Sequence, residues 1–365
     1  MRVKSLSYRN FRNLADGILI PCEGVNVICG DNAQGKTNLI EAIWLFCGGH
    51  SFRSVKDSEV VKWNTAASRL ELEFFGQDRD QHAVLTIDGS KKRAVINGVE
   101  KKSTSAMIEK FCAVVFSPEH LNLIKRGPSE RRRFIDSAIC REKLQNAVIL
   151  SKYNRMLNQR NALLKDIPKK PGLKETLPVW DAQLVHYGAE LTRRRLDYAE
   201  QLSNQAAQFH SGISHGSEQL QIRYRSSVSA QPGDSVELIG EKLERRLEEN
   251  RDSDIRFGVT ASGPHRDDID ILINGKAAKS FASQGQQRSA VLSLKLAEAA
   301  VLRERMGEEP VVLLDDVLSE LDFSRQDFLL NELKNTQVFI TCCEKSDREL
   351  LKSGSTFTVS GGRII

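Results

Sequence analysis

The sequence predicts an α/β fold whose core is split in the chain, its two ends flanking a mostly helical second lobe. Three observations carry that prediction. Residues 24–29 form a short apolar strand pattern, Gly30-Asp31-Asn32-Ala33-Gln34-Gly35-Lys36-Thr37 follows, and residues 38–46 continue with helical spacing. Residues 311–316 form a continuous apolar run that ends in Asp315-Asp316. Between them, from about residue 126 to 254, the composition is helical, broken only by Pro/Gly/Ser clusters. These features divide the chain into 1–125, 126–254 and 255–365.

In order, residues 3–8, 25–29, 70–75, 83–88 and 93–97 read as strands, with Asp88-Gly89 and Asn97-Gly98 as hairpin signals. Gly48-Gly49 ends the first helix, residues 50–62 are polar and mixed in charge, and residues 112–116 form a buried strand closed by Pro118. From Ser129, a candidate N-cap, a helix runs to about Lys165; Pro168-Lys169-Lys170-Pro171-Gly172 interrupts it. A second long helix over about 179–209 carries Leu184, Leu191 and Tyr198 at heptad spacing. A strand over 220–225 and a charged helix over 236–250 complete the insertion. Strand patterning returns at 255–260 and 269–273, with Asn274-Gly275 as a turn. A helix over 283–306, the central strand 311–314, a helix over 324–334 and a buried strand over 338–341 finish the core.

Composition narrows the class only broadly. Hydrophobic residues at 40% and charged residues at 28% describe a globular chain, and no apolar run approaches the ~18–20 residues of a membrane span. Residues 1–8 alternate like a strand and lack the apolar core of a signal peptide. The 7 cysteines mostly sit in apolar segments without C-x-x-C spacing, which favours reduced, buried thiols over a zinc site and predicts a cytoplasmic protein. A net charge of +5 says little, but between Lys125 and Lys170 there are 13 Lys/Arg against four Asp/Glu. Arg126, Arg131, Arg132, Arg133, Lys152, Arg155 and Arg160 are therefore candidates to track DNA phosphates. A solvated helix face, or pairing inside the lobe, reads each of them equally well.

The chemistry concentrates in three motifs. G-x-x-x-x-G-K-T between a strand and a helix is a phosphate cradle: Gly30 through Thr37 aim backbone N–H groups and a helix N-terminus at an ATP triphosphate. Lys36 would reach the β- and γ-phosphates, and the Thr37 hydroxyl would ligate Mg²⁺. Asp315 would hold the same Mg²⁺ through its water shell, and Asp316 would orient or deprotonate the attacking water. Ser283-Gln284-Gly285-Gln286 opens the long helix, so that Ser283, Gly285 and Gln286 could bind a γ-phosphate. A simple serine cap is the competing reading there.

Ser283-Gln284-Gly285-Gln286, lying between the cradle and the acidic strand, resembles the signature motif of ABC-type ATPases, and Ser319-Glu320-Leu321-Asp322 resembles their D-loop. Tyr8-Arg9-Asn10-Phe11-Arg12-Asn13 resembles the N-F-R segment of SMC-like ATPases. Val115-Phe116-Ser117-Pro118-Glu119, Arg131-Arg132-Arg133-Phe134-Ile135-Asp136 and Gly263-Pro264-His265-Arg266-Asp267-Asp268 are similar to segments of the RecF family of bacterial recombination mediators. Motif order, length and the Asp315–Asp322 block agree over nearly the whole chain. That resemblance implies an SMC/ABC-type head with a helical second lobe and ATP-dependent homodimerisation, in which Ser283 and Gly285 face a partner's nucleotide. It also implies DNA binding, slow hydrolysis as a reset, and work with RecO and RecR to load RecA at gapped DNA in repair, replication-fork maintenance and SOS induction. Two departures from the general ABC pattern stand out. Asp316 replaces the usual glutamate, and Cys342-Cys343-Glu344 follows the last core strand with no switch histidine. His265 and Arg266 fit either a nucleotide approach or a structural loop. A transporter's nucleotide-binding subunit is the alternative function, and a small-molecule P-loop kinase ranks behind it because it leaves the Ser283 and Ser319 motifs unexplained.

Overall fold

The computed structural model describes residues 1–53, 57–89, 91–343 and 354–365. The chain forms two compact units, one of Met1–Leu121, Gly212–His215 and Arg288–Ile365, the other of Asn122–Ser211 and Gly216–Gln287.

The first unit is built on two six-stranded sheets. One is antiparallel, in the order Gly17–Leu19, Arg2–Arg9, Ser68–Gly76, Arg79–Asp88, Lys91–Ile96, Val99–Lys101. Its strand Ser68–Gly76 alternates strictly, sending Leu70, Leu72 and Phe74 inward and Arg69 and Glu73 to solvent. The other sheet runs Arg363–Ile364, Ser355–Ser360, Val25–Cys29, Val338–Cys342, Val311–Leu314, Ala113–Phe116, parallel except at its Arg363–Ile364 edge. Val311–Leu314, Val338–Cys342 and Ala113–Phe116 are buried along their full length, which explains why they read as unbroken apolar runs. Leu39, Ile40 and Ile43 of the helix Lys36–Trp44 join Leu6, Leu70 and Leu72 of the first sheet and Leu313 and Phe339 of the second in one buried cluster. The helix's apolar stripe thus locks the turn that precedes it between two sheets.

The second unit is mainly helical. The helix expected from Ser129 to Lys165 is two helices, Pro128–Glu142 and Leu144–Asp166, because Lys143 adopts an extended backbone between them. The second long helix extends over Leu177–Ile213, with Leu184, Leu191 and Tyr198 all buried. Buried ion pairs fasten these helices. Arg195 grips Asp136 through two 2.8 Å bonds, and Arg160 donates to Asp181 at 2.6 Å and Asp254 at 2.7 Å.

The structure departs from two expectations. Residues 255–260 are not a strand: Arg251–Phe257 is a helix that ends at Gly258 in the left-handed conformation, and Ile255 packs against Leu164, Ile167 and Leu177 while Phe257, which a strand would put on the same face, points to solvent. The expected boundary at 254/255 also moves. Strand Asp268–Ile273 pairs with Leu220–Arg225 in a three-stranded sheet of the second unit, which therefore runs to Gln287. No helix among the described residues is long and apolar enough to cross a membrane.

Candidate functional site

The carboxyl ends of the parallel strands form the site. Gly30 leaves strand Val25–Cys29 at φ +155, and a Cβ there would stand 2.2 Å from the Val359 carbonyl; Gly35, at φ +109, enters the helix with Leu14 Cδ2 at 2.6 Å from an added Cβ. Neither position admits a side chain, so the two glycines fix the cradle's shape. Within it, Asn13 Nδ2 donates to the Ala33 carbonyl at 3.1 Å, and the Gly361 N–H donates to Gln34 Oε1 at 2.6 Å. Lys36 is nearly buried, and its ammonium donates to the carbonyls of Gly30 (2.5 Å) and Asp31 (3.1 Å) and to Cys343 Sγ (2.9 Å). Those acceptors hold the cation at the mouth of the loop, and phosphate oxygens are stronger partners for it.

Thr37 Oγ1 donates to Asp315 Oδ1 at 2.8 Å, and Thr341 Oγ1 donates to the same carboxylate oxygen at 3.1 Å. Burial raises the Asp315 carboxyl above its ordinary range, and these two hydroxyl donors oppose the rise. A hydroxyl facing a carboxylate is a hard, oxygen-only donor pair. It suits Mg²⁺, which takes one or two protein oxygens and completes its shell with phosphate oxygens and water. Among the described residues no group of three or more His, Cys, Asp and Glu could hold a metal by itself. Thr37 and Asp315 would therefore hold the ion, and bound there it supplies charge neutralisation for the β- and γ-phosphates.

Asp316 is exposed and left-handed, at φ +53. Its N–H donates to Thr341 Oγ1 at 2.8 Å, so one threonine from strand Val338–Cys342 fixes both acidic residues at the end of Val311–Leu314. An open cleft of about 740 Å³ is lined by residues 32–38, Asp316, Thr341 and Cys343, and also by Arg12, Asn13, Arg53 and Trp63. Its size falls within the ordinary range for small-molecule sites, about 300–1,000 Å³. Lys36, Thr37, Asp315 and Asp316 are thus brought together from positions as much as 280 residues apart.

Several contributors owe their places to partners that no motif announced. Arg12 makes a two-bond pair with the fully buried Glu41, at 2.6 and 2.9 Å, which braces the N-F-R segment against the cradle helix. Thr341, Arg53 and Trp63 carry no local signature. Where no switch histidine stands, Cys343 lies between Lys36 and Asn32 Oδ1 (3.0 Å), whereas Cys342 is buried against Cys29. Glu344 lies outside the described residues.

Ser283, exposed at the start of helix Gln284–Met306, accepts the Gln286 N–H at 3.2 Å while Gln286 Oε1 accepts the Ser283 N–H at 2.8 Å. That reciprocal pair is a capping box, so the serine-cap reading holds in this chain. Gln286 Nε2 donates to Glu218 Oε1 at 2.8 Å. In the Ser319–Asp322 block, Asp322 caps helix Phe323–Glu332 by accepting the Arg325 N–H, and Ser319 Oγ donates to the Asp316 carbonyl at 3.2 Å.

The basic candidates separate by burial. Arg160 is fully buried between Asp181 and Asp254, and Thr260 accepts a third bond at 2.8 Å, so it is withdrawn as a phosphate contact. Arg131 is committed to Asp268 at 2.7 and 2.9 Å, and Arg132 donates to the Asp267 carbonyl at 2.8 Å; both have structural work inside the lobe. Arg126, Arg133, Lys152 and Arg155 are exposed, with Arg126 and Arg133 loosely near Glu130 and Lys152 over the Tyr187 ring. His265 Nε2 faces the Thr260 carbonyl at 2.9 Å and its Nδ1 faces the Tyr153 hydroxyl at 2.7 Å, while burial pushes its pKa down to about 4. Arg266 also donates to the Thr260 carbonyl, so this pair serves the loop.

A split parallel sheet, a P-loop paired to an acidic strand end, and a capping serine motif ahead of that strand define the ATPase head of the SMC type. The family model described as the RecF/RecN/SMC N terminal domain matches residues 2–359. The DNA replication and repair protein RecF of Acetivibrio thermocellus is 39% identical over 346 residues, covering 94% of each chain. RecF of Ruminiclostridium cellulolyticum is 38% identical over 100% of this chain and 99% of its own. A solved structure of the recombination mediator protein RecF with ATP, in the RecFOR pathway, superposes with a TM-score of 0.93 at 39% identity, covering 100% of this chain and 97% of that one. An SMC head bound to the C-winged helix domain of ScpA shares the fold at TM-score 0.57 and 14% identity, covering 100% of this chain and 97% of that chain. The chain belongs to the RecF family.

Proposed function

We propose that this chain is an ATP-gated, DNA-binding recombination mediator, acting in DNA repair and replication. The observation that carries the reading is the cleft lined by Lys36, Thr37 and Asp316, with Asp315 bonded to Thr37 behind it, in a chain of the family whose solved member is a complex with ATP. Lys36 exchanges its loop carbonyls for phosphate oxygens, and Thr37 and Asp315 hold Mg²⁺. Asp316, set by Thr341, orients water for slow hydrolysis. Ser283 and Gly285, exposed or half-exposed at a helix start, meet the nucleotide of a second copy, so that two chains close only around ATP. Arg126, Arg133, Lys152 and Arg155 contact DNA phosphates without reading bases. RecR and RecO are the expected partners, RecA is reached through them, and the cytoplasm is the expected compartment. No observation favours a transporter subunit.

Retention of a gapped duplex tests this directly. Wild-type protein should hold the DNA at least ~10-fold better with ATP than without, Lys36→Ala should lose the ATP effect, and binding should fall by about 0.9 log unit per phosphate contact per log unit of salt. Retention indifferent to both ATP and salt contradicts the proposal.

A further inference from the structure

The cleft has a feature that phosphate chemistry leaves unused. Trp63 lines it and is 90% exposed, while the backbone on either side is tied down. Arg12 N–H donates to the Val60 carbonyl and Lys62 N–H to the Asn10 carbonyl, both at 2.9 Å, and Phe11 and Val61 form an antiparallel bridge between them. Lys62 Nζ donates to the Leu14 carbonyl at 3.0 Å. Beyond Trp63, Asn64 turns left-handed at φ +62, and the Thr65 hydroxyl donates back to the Lys62 carbonyl at 2.7 Å. The indole is therefore presented from a closed turn and not from a loose loop.

The same N-terminal segment also sets the phosphate cradle. Asn13 donates to the Ala33 carbonyl and accepts from Asn38 Nδ2 at 2.7 Å. Residues 10–14 thus fix the cradle with one side and the Trp63 turn with the other. An indole left in water keeps a large apolar face hydrated, and a flat aromatic ligand covers that face. Val61, which is buried beside it, lines the same cleft and supplies an apolar floor.

We infer that Trp63 is the stacking platform for the nucleobase of the nucleotide whose phosphates lie in the Gly30–Thr37 cradle. The inference rests on the nucleotide reading of the cleft. It divides the site into two parts: the cradle binds any triphosphate, and Trp63 selects those that carry a flat base. Stacking on an aromatic face tolerates different bases, because every base has a π-face.

Calorimetric titration of the full chain with Mg-ATP and with inorganic triphosphate separates the parts. Trp63→Ala should weaken ATP about 5- to 100-fold, the range that base–aromatic stacking supports, and leave triphosphate affinity unchanged; Trp63→Phe should keep ATP within a few-fold of wild type. Unchanged ATP affinity in Trp63→Ala overturns the inference and leaves the cradle reading intact. Equal weakening of ATP and triphosphate also overturns it, since the side chain would then be supporting the cradle. Failure of the wild type to bind either ligand removes the nucleotide reading itself, and the inference with it.

Discussion

Thr341 shows how one hydroxyl can set an acidic pair. It donates to Asp315 and accepts from the Asp316 N–H, at the point where Asp316 takes a left-handed backbone that an aspartate adopts at some cost, about 1 kcal/mol. Thr341→Val keeps the volume and removes both bonds. We expect ATP turnover to fall ~10- to 100-fold with a smaller change in ATP affinity, and Thr341→Ser to restore turnover to within a few-fold. A Thr341→Val protein with wild-type turnover would show that the clamp has no part in hydrolysis. Motif reading reached Lys36, Thr37, Asp315 and Asp316 because each sits in a contiguous pattern whose spacing is dictated by its own turn. Arg12 is visible only as part of the N-F-R segment, without its partner Glu41, and Thr341 and Trp63 have no motif at all, because their places depend on pairing across the fold. Thr341 lies opposite Ile28 in a parallel ladder, and Arg12 meets Glu41 only after the helix has packed.

Helices and strands are legible where one face, or for a central strand both, had to be buried. The Leu184, Leu191 and Tyr198 spacing and the apolar strands 311–314 and 338–341 fall where the pattern predicts. Residues 255–260 did not, because β-branched and apolar residues in a six-residue window do not distinguish a strand from the end of a helix that is fixed by distant partners. Asp254 supplies that fixing: it accepts Arg160 with one oxygen and the Ala261 N–H at 3.0 Å with the other. Arg160 in turn read as a DNA contact, since nothing local reveals partners 21 and 94 residues away. Three elements, Leu144–Asp166, Leu177–Ile213 and Arg251–Phe257, meet at this guanidinium. Arg160→Met should leave the buried Asp254 without its cation and Asp181 with only the looser Arg251 at 3.9 Å, and destabilise the second unit by about 3–5 kcal/mol in urea titration. A change under ~1 kcal/mol would mean that water already shares those charges.

The two features that the proposed function directs at ATP lie on separate stretches of chain, the cradle of the first unit and the exposed capping serine at the start of Gln284–Met306. The capping box commits the N–H groups of Ser283 and Gln286 within this chain, so an anion at this helix N-terminus has to displace the box or use the remaining first-turn N–H groups. In the proposed dimer, ATP bound in one chain's cradle is completed by the Ser283 helix of another. Sedimentation velocity with ATP, on wild type and on Ser283→Arg, tests it most directly. The wild type should shift from monomer to dimer on adding ATP, and Ser283→Arg should bind ATP with unchanged affinity while remaining a monomer. A Ser283→Arg protein that dimerises with ATP as the wild type does would contradict it.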